Sequence, residues 1–333
     1  MRQLIIKGVT SADYDNDGWQ DIFISTRDGR NFLMQNTGLK NEIPVFEDVT
    51  EISGLDMFAK TFTCWFFDYN NDGYQDLLAA GFHSDSFYEG KSIAHDFGLE
   101  LMRQPHQAQT GLIYQNNGNG TFTHVSQQVH LDKILYMMGG NFGDIDNDGW
   151  LDFYCGNGDP DLRSVIPNRM FRFDGKVFQE ITPLGFGHIQ KGHGTAFADF
   201  DQDGKQDIYM VVGGFYSGDV YQNVLLNNRI DNENNFITIR LKGRQSNRFG
   251  VGSKLKLTLF ENGSGREIHR VINSGGSFGA SSFIEHMGTG KSERVDSLII
   301  QWAGSGKIQK FSDLKVSCNY LIDEKDGIIS VDW

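Results

Sequence analysis

The sequence predicts an all-β chain in two parts: propeller-type repeats over about 1–230, then a small β-sandwich-like domain over 231–333. Three observations predict this. One acid-rich nonapeptide occurs four times, each copy followed by a short run of strand formers: Ile22-Phe-Ile, Leu77-Leu, Phe153-Tyr and Ile208-Tyr-Met-Val-Val212. Each repeat holds about four short strands, the size of one propeller blade. Past residue 230 the acid loops stop and apolar and polar residues alternate, as in half-buried strands.

The nonapeptide is clearest in loop three, Asp144-Ile-Asp-Asn-Asp-Gly-Trp-Leu-Asp152. Oxygen-bearing side chains stand at positions 1, 3, 5 and 9. They are Asp13, Asp15, Asp17 and Asp21 in loop one, and Asp68, Asn70, Asp72 and Asp76 in loop two. Loop three has Asp144, Asp146, Asp148 and Asp152, and loop four Asp199, Asp201, Asp203 and Asp207. Alternate side chains converging across a sharp turn suit a hard cation with several oxygen ligands, and the glycine at position 6 supplies the turn. The 15 aspartates would repel one another without a cation. Calcium at about four sites is expected, since magnesium prefers fewer protein ligands and stricter geometry. The carbonyl at position 7 (Trp19, Tyr74, Trp150, Lys205) is the expected fifth ligand. An EF-hand is excluded: it needs a Glu at position 12, where Ile24, Ala79, Cys155 and Met210 stand, and β-rich runs follow where a helix should.

Taken in order, the first aspartates are spaced by 55, 76 and 55 residues. A small-residue lead-in precedes the loop at Gly8-Val-Thr-Ser-Ala, Gly139-Gly-Asn-Phe-Gly and Gly194-Thr-Ala-Phe-Ala. Strands broken by Asn and Gly follow, as in Phe32-Leu-Met-Gln-Asn-Thr-Gly and Leu112-Ile-Tyr-Gln-Asn-Asn-Gly, and the fourth repeat is cut short at Val224-Leu-Leu-Asn-Asn228. The long interval contains an insertion, roughly 82–110, which reads as a polar surface excursion; its alternative is a binding loop. In the C-terminal part Ile237, Ile239 and Leu241 take one face of a strand, as do Leu255, Leu257 and Leu259, and Val295–Trp302 forms another strand.

Net charge is −13, which four divalent ions would reduce to about −5, and it excludes non-specific binding to nucleic acid or anionic membrane. No apolar run is long enough for a membrane span. Cys64, Cys155 and Cys318 read as buried thiols, with a Cys64–Cys155 bridge as the alternative. Only 12 residues precede Asp13, with no signal peptide among them. Together with the four visible repeats this favours a C-terminal part of a longer exported protein. The rival is a four-bladed ring closed by its own N-terminal strand.

Further stretches resemble the cartilage-acidic-protein-like family, in which FG-GAP/VCBS-type propeller repeats precede an ASPIC/UnbV domain. They are Ile166-Pro-Asn-Arg-Met, Gln190-Lys-Gly-His-Gly-Thr-Ala-Phe-Ala-Asp, Val212-Gly-Gly-Phe-Tyr-Ser-Gly-Asp219 and Asn234-Asn-Phe-Ile-Thr-Ile-Arg-Leu-Lys-Gly243. Ser246-Asn-Arg-Phe-Gly-Val-Gly252 and Ser274-Gly-Gly-Ser-Phe-Gly-Ala-Ser-Ser282 are similar to ASPIC/UnbV signatures. His286-Met-Gly-Thr-Gly290 and Trp302-Ala-Gly-Ser-Gly306 depart from that pattern. The resemblance implies an extracellular, periplasmic or cell-surface module for interaction or adhesion, with a protein or glycan as ligand.

No GxSxG, HExxH or phosphate-cradling loop occurs in strand–helix context. His193, between two glycines at a strand start, reads as a hydrogen-bonded histidine. Asn119 and Asn262 lie in Asn-x-Ser/Thr sequences. The expected function is a non-catalytic calcium-binding module. The alternative is a carbohydrate-active propeller of the polysaccharide-lyase kind, which would gather Arg or Lys, Tyr and His in a central cleft.

Overall fold

A computed structural model describes residues 4–331 except 160, 215, 217–220 and 262–263. Asn262 and part of the 212–219 stretch therefore lie outside the described residues. The fold is all-β and built of four-stranded sheets.

The first blade is β1 (Ile6–Ala12), β2 (Asp21–Thr26), β3 (Phe32–Lys40) and β4 (Ile43–Asp48), a simple antiparallel meander. The second is β5 (Thr61–Phe67), β6 (Asp76–Gly81), β7 (Gly111–Asn116) and β8 (Phe122–His124). The third is β9 (Met137–Gly143), β10 (Asp152–Asn157), β11 (Arg169–Phe173) and β12 (Phe178–Glu180). The fourth has β13 (Gly192–Ala198), β14 (Asp207–Val212) and β15 (Val224–Leu226). Every acid loop joins the first and second strands of its blade, and no helix flanks one.

Blades pack face to face because their middle strands are apolar on both sides. On β5, Cys64 and Phe66 point into a core with Phe23, Leu33 and Leu77, whereas Trp65 and Phe67 point into one with Leu78, Phe153 and Phe171. This alternation separates Cys64 from Cys155, which lies in the second core; both are buried thiols, and the bridge considered from sequence is not formed. A third core, with Ile145, Tyr154, Met170, Phe197 and Ile208, joins blades three and four. Each such large apolar side chain contributes roughly 1.5–3 kcal/mol on burial.

The C-terminal part comprises β16 (Asn235–Lys242), β17 (Lys254–Glu261), β18 (Ser264–Val271), β19 (Gly279–Ser281), β20 (Ile284–Gly290), β21 (Arg294–Gln301), β22 (Ile308–Lys315), β23 (Cys318–Asp323) and β24 (Gly327–Val331), and all but β19 form a sandwich. Its sheets run β20-β16-β23-β24 and β18-β17-β21-β22. Ile237, Ile239, Leu241, Leu255, Leu257 and Leu259 are all buried between them, on the faces that the alternation assigns.

β19 belongs to neither sheet. It pairs in parallel with β13 and completes the fourth blade at its inner edge. Among the described residues the ring is therefore not closed by the N-terminal strand: β1 pairs with β2 alone, and β13's free edge is taken by residues 279–281. The surrounding segment, 272–283, runs among all four inner strands. Ser277 N–H donates to the Cys64 carbonyl at 3.2 Å, and Gly276 N–H to Asn141 Oδ1 at 2.9 Å. Thr195 N–H donates to the Phe278 carbonyl at 3.3 Å. A Cβ on Gly279 would lie 2.3 Å from the Gly140 carbonyl oxygen, and one on Gly139 1.7 Å from that of His193. The small-residue lead-ins thus make room for this plug.

The insertion differs from a polar surface excursion. A 3-10 turn (Asp85–Glu89) and α1 (Ile93–Leu101) carry Phe82, Ile93, Phe97 and Ala108 onto Ile134, Tyr136, Met138 and Ile166. Buried Asp96 accepts from Ser84, Ser86 and the Gln107 amide. Glu100 joins Glu180 on the buried guanidinium of Arg169, at 2.9 and 2.6 Å.

Candidate metal centres

The four loops share one backbone course. Position 6 is a glycine at φ 96°, 88°, 88° and 86° (Gly18, Gly73, Gly149, Gly204). Position 4 is also left-handed, at φ 62°, 56°, 59° and 59° (Asn16, Asn71, Asn147, Gln202). Asparagine tolerates that region better than most residues, so this feature had a signal in the sequence. Successive side chains then accept amides within the loop. Asp144 takes Asp148 N–H at 3.0 Å and Gly149 N–H at 2.8 Å, and Asp148 takes Trp150 N–H at 2.9 Å. Asp68 and Asp199 do the same in their loops.

Position 9 has a separate duty. Asp21 accepts Tyr14 N–H and Asn36 N–H; Asp76 accepts Tyr69 N–H and Asn116 N–H. Asp152 accepts Ile145 N–H and Phe173 N–H; Asp207 accepts Phe200 N–H and Asn228 N–H. Each fully buried carboxylate staples the loop to the third strand of its blade or, for Asp207, to the segment just after that strand.

The loops differ in what they bring together. Ligand-type oxygens of Asp13, Asp15 and Asp17 lie within 4.8 Å of one another, as do those of Asp199, Asp201 and Asp203. In loop three the group is Asp144, Asp146 and Asp152. Loop two forms no three-acid group among the described residues, and its Asn70 Nδ2 donates to Asp72 Oδ2 at 2.9 Å. Burial, reinforced by neighbouring aspartates, pushes Asp21 and Asp68 up to about 7 and Asp144 up to about 8. Burial likewise holds Asp76 and Asp152 well above the usual carboxylate range.

The sandwich sits directly on the loops. Lys254 Nζ meets Asp13 Oδ2 at 2.7 Å, and Arg270 reaches Asn71 Oδ1 at 2.9 Å and the Gly149 carbonyl at 3.0 Å. Gly288 N–H donates to Asp144 Oδ2 at 3.0 Å, and neutral His286 Nε2 to Asn147 Oδ1 at 2.7 Å. His193 Nε2 lies 3.2 Å from the Gly213 carbonyl oxygen. None of these sandwich contacts was visible in the loop pattern itself.

Blades of this form, with acid loops beneath a β-sandwich, define an FG-GAP-type repeat protein. Residues 13–79, 104–155 and 156–210 match the FG-GAP-like repeat, and residues 243–329 match "ASPIC and UnbV". Cartilage acidic protein 1 of Xenopus tropicalis is 24% identical over 330 residues, covering 95% of this chain and 44% of that protein. The chain belongs to the cartilage-acidic-protein-like family of FG-GAP repeat proteins with an ASPIC/UnbV domain. It spans less than half the length of that curated relative. Two solved structures are weakly similar. "Structure of Dos1 propeller" has 9% identity and a TM-score of 0.35, covering 92% of this chain and 68% of that one. AofleA from Arthrobotrys oligospora has 11% identity and a TM-score of 0.33, covering 94% and 88%. Among the described residues no helix is long and apolar enough to cross a membrane.

Proposed function

We propose that this chain is a calcium-binding extracellular interaction module without catalytic activity, in which calcium fastens the loops between strands. The meeting of three carboxylates in loop one (Asp13, Asp15, Asp17) and loop four (Asp199, Asp201, Asp203) carries this reading. Asp68, Asn70 and Asp72 are the counterparts in loop two, with Asp21, Asp76 and Asp207 behind them and the carbonyls of Trp19, Tyr74 and Lys205 as further ligands. A bound divalent ion would neutralise the repulsion within each loop. Affinities of ~10⁻⁴–10⁻³ M, as in other extracellular modules, fit loops this exposed.

The likeness to cartilage acidic protein 1 supports an extracellular setting, with a protein or glycan as partner. The non-catalytic reading is supported at the channel centre: where a lyase-like cleft would lie, segment 272–283 fills the space between the inner strands. Calorimetric titration with calcium and with magnesium tests the metal reading. Saturable calcium binding lost in D17N and D203N supports it; no binding in the millimolar range sinks it. A glycan array read with and without calcium then decides between the two partner classes.

A further inference from the structure

We infer that loop three is closed by arginine and not by metal, so that this chain takes up cations at its other loops while loop three is the standing anchor of the sandwich. The inference rests on the metal reading above for loops one, two and four.

The deciding residue is on the third strand of each blade, or in blade four directly after it, just before the residue whose amide binds the position-9 aspartate. It is Gln35, Gln115, Arg172 or Asn227. Gln35 donates to Asp15 Oδ2 at 2.7 Å and Asn227 to Asp201 Oδ2 at 2.9 Å; Gln115 receives the Tyr69 hydroxyl at 3.5 Å. Three of the four are neutral amides that leave the carboxylates their charge. Arg172 instead pairs its Nε with Asp146 Oδ2 and donates from Nη2 to Asp148 Oδ2 at 2.8 Å. Its planar fork spans two of the four acids that a cation would need.

Two more guanidiniums close the loop from the sandwich side. Arg266 Nη1 donates to the Asp148 carbonyl at 2.6 Å and Arg270 Nη2 to that of Gly149 at 3.0 Å. Among the described residues no other loop is so supplied: loop one has Lys254 on Asp13, loop two has Arg270 on Asn71, and loop four has no ion pair. At position 3 Asp146 is buried where Asp15 and Asn70 are half-buried and Asp201 is exposed, and at position 5 Asp148 is half-buried where Asp17, Asp72 and Asp203 are exposed. A dication entering loop three would have to expel the Arg172 fork, then sit beside Arg266 and Arg270 among acids that are mostly buried. The charge that calcium would supply is already there. The sandwich accordingly stays docked on loop three at any calcium level.

Terbium(III), a luminescent stand-in for calcium, tests this through Trp150 at position 7 of loop three. In W19F, tryptophan-selective excitation leaves Trp150 as the only tryptophan at position 7 of an acid loop. The expected result is weak sensitised emission from W19F and strong emission from W19F/R172Q, with about a tenfold gain in terbium affinity and one more calcium ion per chain by native mass spectrometry. R172K, which keeps the charge but loses the fork, should give an intermediate gain and serves if R172Q does not fold. Strong emission from W19F itself, abolished by D148N, would overturn the inference, as would no gain in either Arg172 variant. Absence of calcium from the wild-type chain together with a gain in R172Q would remove the metal reading for the other loops while leaving loop three's assignment standing.

Discussion

The side-chain amide of Asn147 donates to the carbonyl oxygen of Gly204, 2.8 Å away in the next acid loop. The same bond joins Asn71 to Gly149 at 3.0 Å and Asn16 to Gly73 at 3.3 Å. Position 4 of each loop therefore holds position 6 of its successor, and the series ends at Gln202. The Asn oxygens face the other way, onto Lys254, Arg270 with the His269 amide, and His286. One short side chain per loop thus registers both the next blade and the sandwich.

Asn71→Ala should accordingly cost more than a strained turn does. Asn41 is an exposed left-handed residue at φ 52° outside any acid loop, and Asn41→Ala isolates the backbone penalty. Asn71→Ala should lose about 1–3 kcal/mol beyond it, because the His269 N–H is left unpaired and the Gly149 carbonyl and Arg270 each lose one of their bonds. Urea titration of the two variants measures the difference. Equal losses would show that the relay contributes nothing.

The plug predicts that the two parts of the chain unfold together. A methyl group on Gly279 would meet backbone, the Gly140 carbonyl, and not a flexible side chain. Gly279→Ala should destabilise by roughly 1–3 kcal/mol through overpacking, and Gly279→Val by more. Calorimetry should show one transition in the wild type and two in Gly279→Val, the sandwich melting apart from the blades. A single unshifted transition in the valine variant would mean that segment 272–283 does not couple them.

What was legible in the sequence was local. The acid loops, their glycines and the strands after them sit within about a dozen residues of one another, and the two-residue alternation of Leu255, Leu257 and Leu259 fixes which face is buried. What was not legible rests on partners far apart in the chain. The Gly139-Gly140 pair reads only as a small-residue lead-in until Gly276 and Gly279 are placed against it. Arg172 reads as an ordinary strand residue until the β10–β11 pairing puts it over Asp146. Ile93 and Phe97, four apart on α1, did carry a helical spacing inside the polar insertion, but their partners Ile134 and Tyr136 lie beyond it.

Metal removal should make stability depend on pH with a definite sign. In the metal-free protein burial raises Asp21 and Asp68 to about 7, so the folded state holds protons that the unfolded chain, near its ordinary value of about 4, has released. The penalty for ionising them is absent below about pH 4 and grows until the pH has passed about 7. Chelated protein should therefore melt at a lower temperature at about pH 8 than at about pH 5.5. Calcium, which favours the ionised form, should raise the melting temperature most at the higher pH. Melting curves at both values, with chelator and with excess calcium, check this. A chelated protein equally stable at both would place these carboxylates outside the linkage.

Among the loops left to metal, loop two should be the last to fill. Its position 3 is Asn70, which keeps an oxygen but carries no charge, and its Nδ2 already donates to Asp72. Arg270 adds positive charge near Asp68, which further opposes a cation there. Asn70→Asp restores the charge without lengthening the side chain and should move this site to lower calcium concentration, by about tenfold for a gain of about 1.4 kcal/mol. Loops one and four serve as internal references in the same titration, since neither touches residue 70. Terbium emission sensitised by Tyr74 under tyrosine excitation, with Trp19, Trp150 and loop one's Tyr14 replaced by phenylalanine, follows loop two. If that signal saturates before calcium has filled loops one and four, ligand charge does not rank these sites and the backbone of each loop must.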